Sequence, residues 1–192
     1  MSRVLSLALL AALATTLPTL PAQASEDAAE FMSRFSGAWL GTGELLLGSE
    51  SGMKFNCELK GDPSRSQMSF AMKGKCWMGA LSAPVHARLR FNEETNAFYG
   101  EFMGGADEDG ANIMGARDGD GFSLKLTRGT AQGRLAAESV NADQMTITIF
   151  FRDRANNREL PVVAMGFTRK DAGAALPDYK AGLVTGSMSG AN

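Results

Sequence analysis

Residues that carry catalytic and metal-binding chemistry are scarce in this sequence of 192 residues. It has one histidine, His86, and two cysteines, Cys57 and Cys76. A serine-hydrolase triad needs a histidine base and usually a G-x-S-x-G nucleophile turn, which is missing here. A zinc site of the Cys/His type needs more ligands than these three residues supply. The cysteines also do not form a C-x-x-C redox motif. We therefore expect no enzymatic activity, no metal site and no cofactor.

An excess of basic charge is also missing. The 19 lysines and arginines are balanced by 21 acidic residues, which gives a net charge of −2. No clustered basic stripe of the kind that binds a phosphate backbone is present, so we expect no nucleic-acid partner. The apolar run from Val4 to Leu13 is far shorter than the roughly 20 residues of a membrane-spanning helix.

The first 24 residues have the three parts of a secretory signal. Arg3 is the basic start, Val4 to Leu13 is the apolar run, and Ala22-Gln23-Ala24 is a small-x-small cleavage site before Ser25. No cysteine follows the site directly, so the thiol of a lipoprotein anchor is missing. These features predict a protein without a membrane anchor, either periplasmic or secreted. In that oxidising compartment we expect a Cys57–Cys76 disulfide.

Glycine is abundant after the signal, where all 22 glycines lie, and average usage is only about 7 per cent. Ser25 to about Phe35 has helical spacing, with Ser25 as a possible N-cap and the acids Glu26 and Asp27 in the first turn. Alternating segments then follow, separated by turn residues. The predicted strands are Ala38–Leu47, Met53–Lys60, Gln67–Met78, Val85–Phe91, Ala97–Met103, Asn112–Ala116, Phe122–Thr127, Gly133–Ser139, Gln144–Phe151 and Leu160–Thr168.

The predicted turns are rich in glycine, asparagine and aspartate, which tolerate positive φ or bond their own backbone. They are Gly61–Ser64, Asn92–Asn96, Asp107–Gly110, Asp118–Gly121 and Asn141–Asp143. Acidic residues are ordinary in such turns, so we do not assign calcium to Asp118 and Asp120 or to Asp107-Glu108-Asp109. About ten short strands joined by tight turns predict an all-β, antiparallel up-and-down barrel with a short N-terminal helix. A two-sheet sandwich is the alternative.

Alternation along the strands indicates the side chains that face inward. His86 falls on a polar face, where a solvated role is favoured over ligand or proton-transfer roles. The eleven methionines leave three interpretations open: core filling, an adaptable ligand cavity, or copper binding. Phe151 is predicted to continue the apolar lining of the late strands. The predicted ligand-contacting residues are Phe55, Met68, Phe70, Met72, Leu89, Phe122, Met145 and Ile147.

The first strand opens with Gly37-Ala38-Trp39, a glycine-x-tryptophan motif that resembles the opening of the calycin superfamily, which includes lipocalins, fatty-acid-binding proteins and nitrobindin-like barrels. The resemblance implies a preceding helix and a tryptophan at the closed end of the barrel. It also implies a basic side chain over that tryptophan, and Arg169 matches this position. About ten strands fit the fatty-acid-binding and nitrobindin-like branches better than the eight-stranded lipocalins. A histidine on the late strands, which a nitrobindin-like haem site needs, is missing.

The sequence therefore divides into a signal over residues 1–24, a barrel over 25–170 and a Gly/Ala/Ser-rich tail over 171–192, which we expect to be flexible. Leu176, Tyr179, Leu183 and Val184 offer apolar surface with which this tail could dock. We expect an exported barrel that binds a small apolar ligand in its interior. The alternative is a structural or protein-interaction module of the cell envelope with a fully packed barrel, whose protein partner the sequence does not identify.

Overall fold

A computed structural model describes residues 22–104, 110–173 and 175–180. Within them the chain forms one helix and ten strands. The elements are α1 (Ala22–Ser33), β1 (Gly37–Leu45), β2 (Lys54–Ser64), β3 (Ser69–Met78), β4 (Leu81–Asn92), β5 (Ala97–Gly104), β6 (Ala111–Asp118), β7 (Gly121–Arg128), β8 (Ala131–Asn141), β9 (Gln144–Asp153) and β10 (Arg158–Arg169). The predicted signal residues 1–21, Asp107-Glu108-Asp109 and the last twelve residues, 181–192, lie outside the described part.

Each strand pairs in antiparallel fashion with its neighbours in sequence, and β1 also pairs with β10, which closes the barrel. The closing register places Trp39 opposite Arg169 and Leu45 opposite Val163. This confirms the predicted all-β up-and-down barrel and excludes the sandwich alternative. No helix in the described ranges is both long and apolar enough to cross a membrane.

The predicted turn at Gly61–Ser64 is wrong, because these residues complete β2 and the chain reverses over residues 65–68. Pro63 pairs with Phe70 inside the ladder. The glycine at position 61 serves close packing, since a Cβ there would lie 1.9 Å from the carbonyl oxygen of Phe35. This absence of a side chain lets the end of the helical region approach β2 directly.

Helix α1 begins at Ala22, three residues before the predicted start, so Ser25 lies within the helix and is not its N-cap in the full-length chain. Alanine and glutamine are good helix formers, and nothing between Ala22 and Ser25 interrupts the helix. The apolar face predicted from the spacing is buried: Phe31 and Phe35 are 1% and 2% exposed.

Cys57 and Cys76 form the predicted disulfide between directly opposite positions of β2 and β3, with their Cα atoms 4.0 Å apart. Cys57 is buried, and Cys76 packs against the core. The bridge therefore joins neighbouring strands that the ladder already pairs.

Residues 175–180, part of the tail predicted to be flexible, run along the outside of β10 and β1. Pro177 is buried and Tyr179 is half-buried, and both lie against Gly166, where a Cβ would be 2.9 Å from the Pro177 carbonyl oxygen. Lys180 Nζ lies 2.7 Å from a carboxylate oxygen of Glu44. These contacts cover the outer surface of the seam at which the barrel closes.

Candidate functional site

The interior of the barrel contains an apolar cavity of about 360 Å³. Inward-facing residues of every strand except β6, together with Phe35 from the end of the helical region, contribute to its wall. A fully packed interior leaves almost no such space, because protein cores are filled nearly as densely as organic crystals. The cavity is large enough for a small organic molecule, since ligand pockets begin at roughly 300 Å³.

One end of the cavity is closed by aromatic rings. The Phe31 and Phe35 rings lie 4.7 and 4.9 Å from the Phe122 ring, measured between centroids. Phe98 contacts Phe122 at 5.0 Å with nearly perpendicular planes, an edge-to-face arrangement that aromatic pairs prefer. Phe35 and Phe122 also line the cavity, so this cluster forms its floor.

Trp39 lies at the same closed end and is 1% exposed. Its indole N–H donates to the Phe35 carbonyl at 3.2 Å. The Arg169 guanidinium lies 4.4 Å from the centre of the tryptophan ring system and donates to the carbonyls of Arg34, Ser36 and Ala142. One cation thus connects the residues after α1, the first strand and the β8–β9 turn.

The opposite end of the cavity is bordered by residues near the strand ends remote from α1, including Leu45, Ala83 and Val163. Exposed apolar side chains extend beyond this border. Leu47 lies in the β1–β2 loop and Leu81 is the first residue of β4, both at this end. They are 47% and 72% exposed. An apolar molecule that enters the barrel here therefore meets apolar surface before it reaches the cavity.

The cavity wall has no ionisable side chain among the residues that the structure describes. No buried side-chain nitrogen or oxygen in the described ranges lacks a hydrogen-bond partner, and no cluster of three or more potential metal ligands occurs there. The resolved pKa shifts belong to exposed groups on the outside. For example, a hydrogen bond from Lys170 lowers the pKa of the Glu58 carboxyl. The wall therefore offers only van der Waals contact and exclusion of water.

The structure brings most of the predicted ligand-contacting residues together in this wall: Phe55, Phe70, Met72, Leu89, Phe122, Met145 and Ile147. Met68 does not line the cavity. It lies in the β2–β3 turn with φ of 46°, and its carbonyl accepts a hydrogen bond from the Phe91 N–H at 2.9 Å. The predicted third strand begins too early, at Gln67, and this wrongly extended the alternation to Met68.

Phe151 also departs from its predicted position in the lining, because it is 44% exposed and does not border the cavity. It lies near the end of β9 remote from the aromatic floor, beyond Ile149. Alternation gives the side of the strand but not the depth, so a residue at the rim has the same sequence pattern as one inside.

The methionines divide between interior and surface. Met72, Met145 and Met165 line the cavity, whereas Met53, Met103 and Met114 are between 39% and 61% exposed. His86 lies on the outer face of β4, opposite Lys73, and is half-buried. The interior cavity therefore accounts for only some of the methionines in the sequence.

Several wall residues were not among the predicted contacts, notably Phe35, Phe102 and Leu135. Phe102 shares a face with Phe98 by simple alternation, and Leu135 occupies an equivalent inward position on β8. Phe35 follows Phe31 at helical spacing. The alternation along strands and the helical spacing, which located the other residues, also identify these three.

Comparisons with known proteins support the fold. Comparison with family models and with curated proteins gave no match to the sequence. Among solved structures, Rv2717c from M. tuberculosis aligns with a TM-score of 0.54 and 12% identity, covering 74% of this chain and 97% of that one. The S-type phycobiliprotein lyase CPES from Guillardia theta aligns with a TM-score of 0.51 and 11% identity, covering 81% and 99%. At these identities the similarity concerns the fold alone, and both alignments cover most of the described barrel.

Proposed function

We propose that this protein is exported and, without catalysing a reaction, binds a small apolar ligand inside its barrel. The observation that carries the proposal is the 360 Å³ cavity, which has no polar or ionisable side chain in its described wall. Its volume also argues against the alternative of an envelope module with a fully packed barrel. The neighbour named a phycobiliprotein lyase shares the fold at 11% identity, so the cavity and not that name is the support for a bound ligand.

The chemistry of the wall restricts the part of the ligand that is buried. A polar group placed in this cavity finds no hydrogen-bond partner on a side chain, and burying an unpartnered polar group costs roughly 2–7 kcal/mol. The buried part is therefore hydrocarbon, either a chain or a small ring system. Polar groups of the ligand remain at the mouth, in contact with water.

The test is a matched pair of variants on neighbouring residues of β8. Ala137 faces the cavity and is 8% exposed, whereas Ala136 faces outward between Ser123 and Thr148. We expect Ala137→Phe to fill part of the cavity and to weaken binding of the neutral fluorescent probe N-phenyl-1-naphthylamine at least about tenfold, or 1.4 kcal/mol. Ala136→Phe should leave the affinity unchanged.

Thermal unfolding of both variants provides the control for folding. Because the new ring occupies empty space, Ala137→Phe should keep a cooperative transition near that of the parent protein. Mass spectrometry of organic extracts from the purified protein should find a stoichiometric apolar compound in the parent and less of it in Ala137→Phe. Failure of the parent protein to bind the probe and to retain any apolar compound would contradict the proposal.

A further inference from the structure

A second concave surface lies outside the barrel, on the outer faces of β4 to β7. This outer groove has a volume of about 640 Å³. Gly100 on β5 lies in it, and a Cβ at this position would be 1.8 Å from the carbonyl oxygen of Arg88. Glycine thus permits a close approach of β5 to β4 that a side chain would prevent, as at the bends of other barrels.

Two large side chains form the floor of the outer groove. Tyr99 and Met114 are directly opposite each other on β5 and β6, so they lie side by side, and they are 45% and 61% exposed. An exposed aromatic ring beside a flexible thioether is a surface suited to packing against an apolar side chain. Polar residues surround the pair, as is common at interaction sites.

Cations stand on both walls of the groove. The strand registers place Arg90, Tyr99, Met114 and Lys125 in one row across four strands, and Arg88 lies two residues from Arg90 on the same face of β4. Three strand spacings separate the walls, or about 14 Å. Arg88, Arg90 and Lys125 are exposed.

The charge of the groove contrasts with that of the whole protein. Glu101 is the one acidic residue among the described groove residues, whereas the whole chain has a net charge of −2. Elsewhere on the surface Arg34, Arg134, Lys170 and Lys180 form ion pairs with acids. The described structure records no such ion pair for the three groove cations, but Glu101 lies directly opposite Arg88 and offsets part of their charge. On the groove side Arg90 and Lys125 face Tyr99 and Met114, which are uncharged, so the groove keeps an excess of positive charge for a partner.

We propose that the outer groove binds an acidic segment of a partner protein that also carries an apolar side chain. The strands that carry the two cationic walls are about 14 Å apart, with the apolar pair Tyr99 and Met114 between them, so a peptide chain with several acids and one apolar side chain matches all three features at once. The apolar side chain packs on Tyr99 and Met114. Because a closed barrel has no free strand edge, side chains rather than added backbone pairing provide the recognition. A membrane surface does not fit, since the groove is concave.

The test uses protein purified after expression of the full-length chain. The probe is a fluorescein-labelled peptide of about twelve residues, made of glutamate and serine with one central phenylalanine, and binding is followed by fluorescence anisotropy. We expect binding that weakens with rising salt and falls at least about tenfold in the Arg88→Glu/Arg90→Glu variant. The matched control is Lys60→Glu/Lys73→Glu, because these two exposed lysines face each other on the outer faces of β2 and β3; it should bind normally.

Two further measurements separate the proposal from simple charge attraction. Tyr99→Ala should weaken binding of the phenylalanine peptide several-fold but leave a serine-substituted peptide unaffected. A peptide with glutamine in place of glutamate should not bind.

Three outcomes would overturn the proposal. They are equal binding of the glutamine peptide, an equal loss in the Lys60/Lys73 control, and tighter binding of a single-stranded oligonucleotide of similar length. Binding of N-phenyl-1-naphthylamine should be the same in all these variants, which keeps this test independent of the interior cavity.

Discussion

At the scale of single residues, Arg169 makes the most connections at the closed end of the barrel. Its guanidinium covers Trp39 at 4.4 Å and donates to three carbonyl groups that lie between α1 and β1 and in the β8–β9 turn. These carbonyls lie in connecting segments, outside the helix and the strands. A planar fork of donors suits this task better than an ammonium group.

We predict that Arg169→Ala lowers the free energy of unfolding by roughly 2–3 kcal/mol, because it removes charge-assisted hydrogen bonds and a cation–π contact at a side chain that is 27% exposed. Arg169→Lys should recover less than half of this loss, since lysine lacks the fork. Urea unfolding followed by tryptophan fluorescence measures both variants. A loss below about 0.5 kcal/mol in the alanine variant would show that the contacts contribute little.

At the scale of elements, the disulfide constrains β2 and β3. It closes a loop with a sequence separation of 19 residues, for which the chain-entropy relation gives about 3 kcal/mol. We predict that dithiothreitol lowers the free energy of unfolding of the parent protein by about this amount. The Cys57→Ser/Cys76→Ser variant should have the lower stability with or without reductant. An unchanged unfolding midpoint in the reduced parent protein would contradict the prediction.

The ion pair between Glu58 on β2 and Lys170 after β10 gives stability a pH dependence. Lys170 Nζ donates to the carboxylate at 3.0 Å, and this lowers the pKa of Glu58 from its usual value of 4.5 and raises that of Lys170. The lowered pKa means that the contribution is present above about pH 4.5 and is lost as the pH falls through the folded-state value.

We therefore predict that Glu58→Gln lowers the free energy of unfolding slightly at neutral pH, because the pair is exposed and screened. The difference from the parent protein should disappear as the pH falls below 4.5, and it can be followed by urea unfolding at several pH values. Glu94→Gln is the control, since Glu94 is exposed in the β4–β5 turn and forms no ion pair within the described ranges. A difference that is independent of pH would contradict the assignment.

Much of the fold could be predicted at this scale. All ten strands were located from alternation and turn residues, and the order of pairing followed from the short connections. The error at Gly61–Ser64 has a physical cause: glycine, aspartate, proline and serine favour turns locally, but here glycine is required by the approach of the Phe35 carbonyl. A contact between residues distant in sequence cannot be deduced from local preference.

The site was predicted less completely than the fold. Alternation identifies the inward side chains, so seven of the eight predicted contacts lie in the wall. Whether inward side chains meet or leave a space depends on the radius of the barrel and on what closes its ends. The 360 Å³ cavity follows from ten strands closed by one short helix, and neither alternation nor composition specifies that volume.

At the scale of the whole molecule, the barrel has two concave regions that share no lining residue. The interior cavity is apolar and lies between an aromatic floor and the mouth, whereas the outer groove combines an apolar floor with cationic walls and lies on β4 to β7. Inward and outward residues alternate on the shared strands β4, β5 and β7, so a change of one face need not alter the other. This separation allows the two proposals to be tested in the same protein.

The helix at the closed end also connects the fold with the proposed export. Its buried side chains in the described structure are Ala28, Ala29, Phe31 and Met32, so removal of residues 1–24 leaves the floor of the cavity intact. Cleavage would leave Glu26 and Asp27 in the first turn of the shortened helix, where acids are favourable.

We predict that the protein recovered from the periplasm of a bacterial host begins at Ser25. Ala24→Lys should block processing, because the cleavage site requires a small residue, whereas Gln23→Asn should not. N-terminal sequencing checks this, and an unprocessed chain or a first residue other than Ser25 in the parent protein would contradict it.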